Sequence, residues 1–83
     1  MRLTVKYFAS IRETLGRGSE ALDTQAATLA QLRDELVARG GGYAQSLARG
    51  RSVRAAVNQV MSEESAALIE GCEVAFFPPV TGG

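Results

Sequence analysis

Few residues of this 83-residue chain are equipped for chemistry, and the most suggestive group lies at its end. Histidine is absent and cysteine occurs once, as Cys72. A zinc site built from nitrogen and sulfur ligands therefore cannot be assembled, and no metal is expected. What stands out instead is a carboxylate. The chain runs Ala75-Phe76-Phe77-Pro78-Pro79-Val80-Thr81-Gly82-Gly83. An apolar run meets two prolines, which lack an N–H, fix φ and so stop a strand and stiffen its exit. Two glycines without Cβ then give the tail its narrowest possible tip. From Pro79, the four residues 80–83 can span roughly 13–14 Å when extended, enough to reach into another protein's pocket. No glycine-rich phosphate loop with a lysine occurs. A phosphate-binding site of that kind is therefore not expected, and no cofactor is expected on this chain.

The lone thiol gives less. Cys72 sits between Gly71 and Glu73, with nothing basic beside it in sequence to favour a thiolate. A structural or incidental role is expected.

The elements that must carry the tail follow from periodicity. Residues 2–8 alternate strictly, which reads as a strand with Leu3, Val5 and Tyr7 buried and Arg2, Thr4, Lys6 and Phe8 opposite. Residues 9–15 read as a short helix with Ser10 as its cap, then Gly16-Arg17-Gly18-Ser19 as a turn. A second short strand is expected over 20–24. The clearest helix starts at Thr28, where Gln31 completes a capping-box pattern. Leu29, Leu32, Leu36 and Val37 form its apolar face, and Arg33, Asp34 and Arg39 are expected to face solvent. Gly40 is expected at its C′ position. Residues 43–48 can add one or two helical turns. A third strand is expected over 52–60, bent at Asn58, then a loop over 62–65 and a last strand over 73–77. Val74 and Phe76 share one face of that strand; Glu73, Ala75 and Phe77 share the other. The pattern leaves the strand phase of Met61 open.

Strands at both ends and one long central helix imply an α+β domain, a mixed sheet wrapped on a single helix, over residues 1–79, with 80–83 as a flexible tail. A chain this short buries only about 60–65% of its unfolded surface. Composition is globular, 46% apolar and 22% charged. The formal net charge is zero and the pI about 6.2, which gives no electrostatic pull towards nucleic acid or anionic membrane. The alternating start lacks the apolar run of a signal peptide. No stretch reaches the roughly eighteen apolar residues of a membrane span. A cytoplasmic domain is expected, and a single cysteine fits a reducing compartment.

Three segments carry a resemblance: Lys6-Tyr7-Phe8-Ala9 with Ile11-Arg12-Glu13, then Ala55-Ala56-Val57-Asn58-Gln59, then Glu73 through Gly83. With them the whole chain resembles the ubiquitin-like β-grasp sulfur carriers, and most closely the small subunits of molybdopterin synthase. The resemblance implies a carrier that is not an enzyme by itself. An E1-like activating enzyme would adenylate Gly83 with ATP, and sulfur would then replace AMP to leave a thiocarboxylate. Val80, Thr81 and Gly82 would thread the tail into the large synthase subunit, which builds the dithiolene of molybdopterin from a cyclic pyranopterin in two transfers. Two small and two large subunits are implied. Because first and last strands are neighbours in a β-grasp sheet, Phe8 and Phe77, extended by Met61, are expected to form an exposed docking patch. The competing reading has a helix or loop covering those rings. Competing functions are sulfur carriage for thiamine or tRNA thiolation, a protein modifier, or an interaction module without tail chemistry.

Overall fold

The computed structural model describes residues 1–79. The tail positions assigned above, Val80, Thr81, Gly82 and Gly83, lie outside the described residues. Five strands and three helices are present among those described: β1 (Arg2–Tyr7), α1 (Ala9–Leu15), β2 (Ser19–Asp23), α2 (Leu29–Val37), α3 (Gly41–Leu47), β3 (Arg54–Val57), β4 (Val60–Ser62) and β5 (Glu73–Phe77). The sheet order is β2-β1-β5-β3-β4. Its central pair β1/β5 is parallel, and the remaining pairs are antiparallel. The first and last strands therefore lie side by side and run in the same direction.

Period-two patterning sets which face is covered. Leu3, Val5 and Tyr7 of β1, Leu22 of β2, Ala55 of β3 and Val74 and Phe76 of β5 join Leu29, Leu32 and Leu36 of α2 in one core. The Tyr7 and Phe76 rings stack at 6.4 Å across the parallel pair. Thr28 caps α2 as its sequence predicts, its side chain accepting from the Gln31 N–H, a bond worth about 1 kcal/mol. The Gln31 side chain reaches back one residue further than the pattern requires and accepts from the Ala27 N–H at 2.7 Å.

Several expectations are corrected. The N-cap of α1 is Phe8, with no side-chain cap, so Ser10 lies inside the helix. Gly40, with φ of 76°, is the N-cap of α3, while α2 ends on Ala38 as its C-cap in a right-handed conformation. The third strand is not continuous over 52–60. It is a hairpin, because Asn58 and Gln59 both take positive φ (48° and 68°) and reverse the chain between β3 and β4. Positive φ at both central residues is what a two-residue type I′ hairpin demands.

Arg33 is the largest departure. Only 7% exposed, it does not face solvent. Its Nε donates to the Leu47 carbonyl at 2.6 Å, and its Nη2 to the carbonyls of Ala48 and Arg51 at 2.8 and 3.0 Å. Its Nη1 pairs with Glu64 at 3.2 Å. These carbonyls belong to the end of α3 and the loop after it, where no further helical turn supplies donors. Arg33 thus ties α3 to α2. Asp34 and Arg39 do lie towards solvent, but both are engaged. Arg49 pairs with Asp34 through two bonds of 3.0 Å, and Arg39 with Glu20 at 2.9 Å.

Glu20 is the second tie. Its Oε2 accepts from the hydroxyls of Tyr7 and Tyr43 at 2.8 and 2.6 Å, and its Oε1 from Arg39 and Arg17. Burial pushes the Glu20 carboxyl up, but the bonds from Tyr43, Arg39 and Tyr7 outweigh it and hold the group below the usual glutamate range. Burial, then the bond to Glu20, pushes the Tyr7 phenol well above its ordinary value. One carboxylate thereby joins β1, β2, α3 and the loop before α3.

Candidate functional site

The second face of the sheet carries the candidate site. Among the described residues no helix packs over it, and the register places its side chains in rows. Lys6 lies beside Ala75, Ala75 beside Ala56, and Ala56 beside Met61. Ala56 and Ala75 are nearly inaccessible, yet neither belongs to the core cluster. They form a small-residue floor between longer neighbours.

One residue pair on, towards the tail, Phe77 lies beside Arg54. Phe8 extends β1 in the same direction, and its N–H donates to the Phe76 carbonyl at 3.1 Å. Its backbone is still extended, with φ of −127°, so alternation turns its ring to the face opposite Tyr7. The next residue, Ala9, takes φ of 51° and turns the chain into α1.

The structure therefore brings Phe8, Phe77 and Met61 to one face, and it settles the phase of Met61. Phe8 is 45% exposed and Met61 55%, while Phe77 is only half-buried. Val60 is also exposed on the edge strand, but its register with Val57 turns it to the face opposite Met61. Phe8, Met61 and Phe77 thus gather apolar surface on one face. Charges on the face are mostly matched: Lys6 pairs with Glu73 at 3.2 Å and Arg2 with Asp23 at 3.5 Å.

Cys72 is 2% exposed and packs in the core at the entrance to β5. Its carbonyl accepts from the Thr4 N–H and its N–H donates to Ile69. The thiol is part of the packing. Arg12 and Glu13 are exposed on α1. No helix among the described residues is long and apolar enough to cross a membrane.

The arrangement is a rigid body with an uncovered apolar row that leads directly into Pro78 and Pro79. The described residues hold no nucleophile–base pair at this face that could catalyse a reaction.

Comparison with known proteins agrees with this reading of the body. A molybdopterin synthase sulfur carrier subunit from Haemophilus influenzae is 38% identical over 81 residues, covering 98% of this chain and 99% of its own. Among solved structures, a candidate molybdopterin converting factor, subunit 1, from Pyrococcus furiosus superposes with a TM-score of 0.78 at 27% identity, over 96% of this chain and 99% of that one. SAMP1 from Haloferax volcanii, with a TM-score of 0.74 at 27% identity, matches over the full length of both chains. The fold is thus the ubiquitin-like β-grasp. The ThiS family model matches residues 5–83, tail included, and the chain belongs to the ThiS family.

Proposed function

We propose that this chain is a sulfur carrier that delivers sulfur, as a thiocarboxylate on Gly83, for dithiolene formation in molybdopterin synthesis. The observation that carries the reading is the row of exposed Phe8 and half-buried Phe77 at the strand end that precedes the Pro-Pro-Val-Thr-Gly-Gly sequence. The full-length likeness to a molybdopterin synthase sulfur carrier subunit supports it. In this reading the Gly83 carboxylate attacks the α-phosphate of ATP on an E1-like partner, releasing pyrophosphate. A sulfur nucleophile then displaces AMP from the acyl-adenylate and leaves the thiocarboxylate. The sulfur of that group is the better nucleophile, and it passes to the pyranopterin in the large synthase subunit while the acyl carbon regains oxygen from water. The chain itself acts as a non-catalytic subunit. Residues 1–79 are the handle and 80–83 the arm, and Val80, Thr81 and Gly82 thread the partner's channel. Two small and two large subunits make the working assembly, in the cytoplasm.

The test is intact mass spectrometry after incubation with the activating enzyme, ATP and a sulfur donor. The expected gain equals sulfur for oxygen at Gly83, and it is lost when Gly82 and Gly83 are deleted. Conjugates on other proteins would instead identify a modifier, which the likeness to SAMP1 makes the second reading. Unchanged mass would leave only an interaction module. Modification without use by the synthase would point to thiamine or tRNA thiolation.

A further inference from the structure

Of the eight arginines, six make hydrogen bonds or ion pairs among the described residues: Arg2, Arg17, Arg33, Arg39, Arg49 and Arg51. Arg12 and Arg54 make none there. Arg12 folds back on its own chain, its Nε close to Gly18. Arg54 is different. It is exposed, and the register puts it beside Phe77, on the uncovered face and in the last row of the sheet before the tail. The nearest acid in sequence register is Glu63, just past β4, and it makes no bond to Arg54.

Arg51, three residues earlier, flanks the same exit. It lines a groove of about 520 Å³ together with Ser10, Thr14, Ser52 and Pro78. Its Nε donates to the Gln45 carbonyl at 2.9 Å, and its two terminal nitrogens have no partner among the described residues. No carboxylate lines that groove. Two guanidinium groups whose terminal nitrogens have no partner among the described residues therefore lie near the root of the tail, Arg54 in register with Phe77 and Arg51 lining a groove with Pro78, in a chain whose net charge is zero.

We infer that Arg51 and Arg54 form a basic rim around the root of the tail, which pairs with carboxylates of the large subunit that receives it. This rests on the sulfur-carrier reading above. A partner that encloses residues beyond Pro79 must lie against the Phe8–Phe77–Arg54 row. Desolvating Arg54 without an acceptor would be strongly unfavourable. A guanidinium fork is matched best by a carboxylate, which can take two parallel bonds. The apolar row supplies contact area, and the rim fixes orientation and speeds encounter.

The test is the affinity of the full chain for its large subunit, titrated at low and at physiological ionic strength, with melting curves to confirm folding. Arg54→Gln and Arg51→Gln are each expected to weaken binding about 5- to 10-fold, and the Arg51→Glu/Arg54→Glu double variant about 100-fold. The salt dependence of wild-type binding should be largely lost in the double glutamine variant. Wild-type affinity and salt dependence in the double glutamate variant would overturn the rim; if that variant does not fold, the glutamine pair decides in the same way. Phe77→Asp separates the two levels. If it weakens binding while the arginine variants do not, only the rim fails. If it also binds as wild type, the docking face itself is wrong.

Discussion

Single residues decide how the functional face is presented. Gln59 holds φ of 68° in the β3–β4 hairpin, a conformation costing a side-chain-bearing residue roughly 1–2 kcal/mol. Gln59→Gly removes that strain but adds freedom to the unfolded chain, for a net gain of about 0.5–1 kcal/mol. Urea denaturation measures it, and a loss of stability would mean that the Gln59 side chain contributes something the turn does not reveal. Asn58 tolerates the same region better and is further fixed, since its side chain accepts from the Glu73 N–H at 2.9 Å. The sequence predicts a bend at Asn58 within a strand that continues to Val60. Asn-Gln is a weak hairpin signal beside Asn-Gly, and the flanking Val57 and Val60 are both good strand formers. Met61 could not be assigned to a face for that reason. Phe8 and Phe77 could, because strict alternation in β1 and β5 fixes their side of the sheet.

At the scale of elements, α3 depends on tertiary bonds more than on its own sequence. Gly41-Gly42 opens a helix of seven residues, too short to be stable alone. Arg33 from α2 satisfies carbonyls at and beyond its end, and Tyr43 within it bonds to Glu20. Arg33→Ala leaves the buried Leu47 carbonyl and the part-buried carbonyls of Ala48 and Arg51 without this donor, and should cost about 3 kcal/mol in chemical denaturation. A loss under about 1 kcal/mol would show that solvent replaces the guanidinium. The helical period of α2 was legible, as were its cap and apolar face. The burial of Arg33 was not, because period alone puts an arginine beside Leu32 at the border of the face. Only the position of α3 makes the border into an interior. The same limit hid the Glu20 tie, since its four donors come from residues 7, 17, 39 and 43.

At the scale of the whole molecule, the Glu20–Tyr7 tie gives stability an acid and an alkaline limit. The Glu20 carboxyl is lowered by folding, so its contribution is complete above the ordinary value of 4.5 and is lost as pH falls through the lower folded value. The Tyr7 phenol is raised, so its contribution is complete below 10.0 and is lost as pH rises towards the folded value. Melting temperature against pH should therefore lose part of its acid limb in Glu20→Gln and part of its alkaline limb in Tyr7→Phe. Unaltered limbs would assign the pH response to other groups.

The body so held is a platform: one face closed by α2 and α3, the other open, and both central strands aimed at the tail's root. On the sulfur-carrier proposal, this platform serves to deliver sulfur from Gly83. The most direct measurement is conversion of the cyclic pyranopterin by the purified large subunit and the thiocarboxylated chain, with the chain lacking Gly82 and Gly83 alongside. Dithiolene product, two thiocarboxylates consumed for each molecule formed, and no product from the truncated chain are the predicted results. Product formation that is indifferent to the tail, or no sulfur transfer from a fully thiocarboxylated chain, would contradict it.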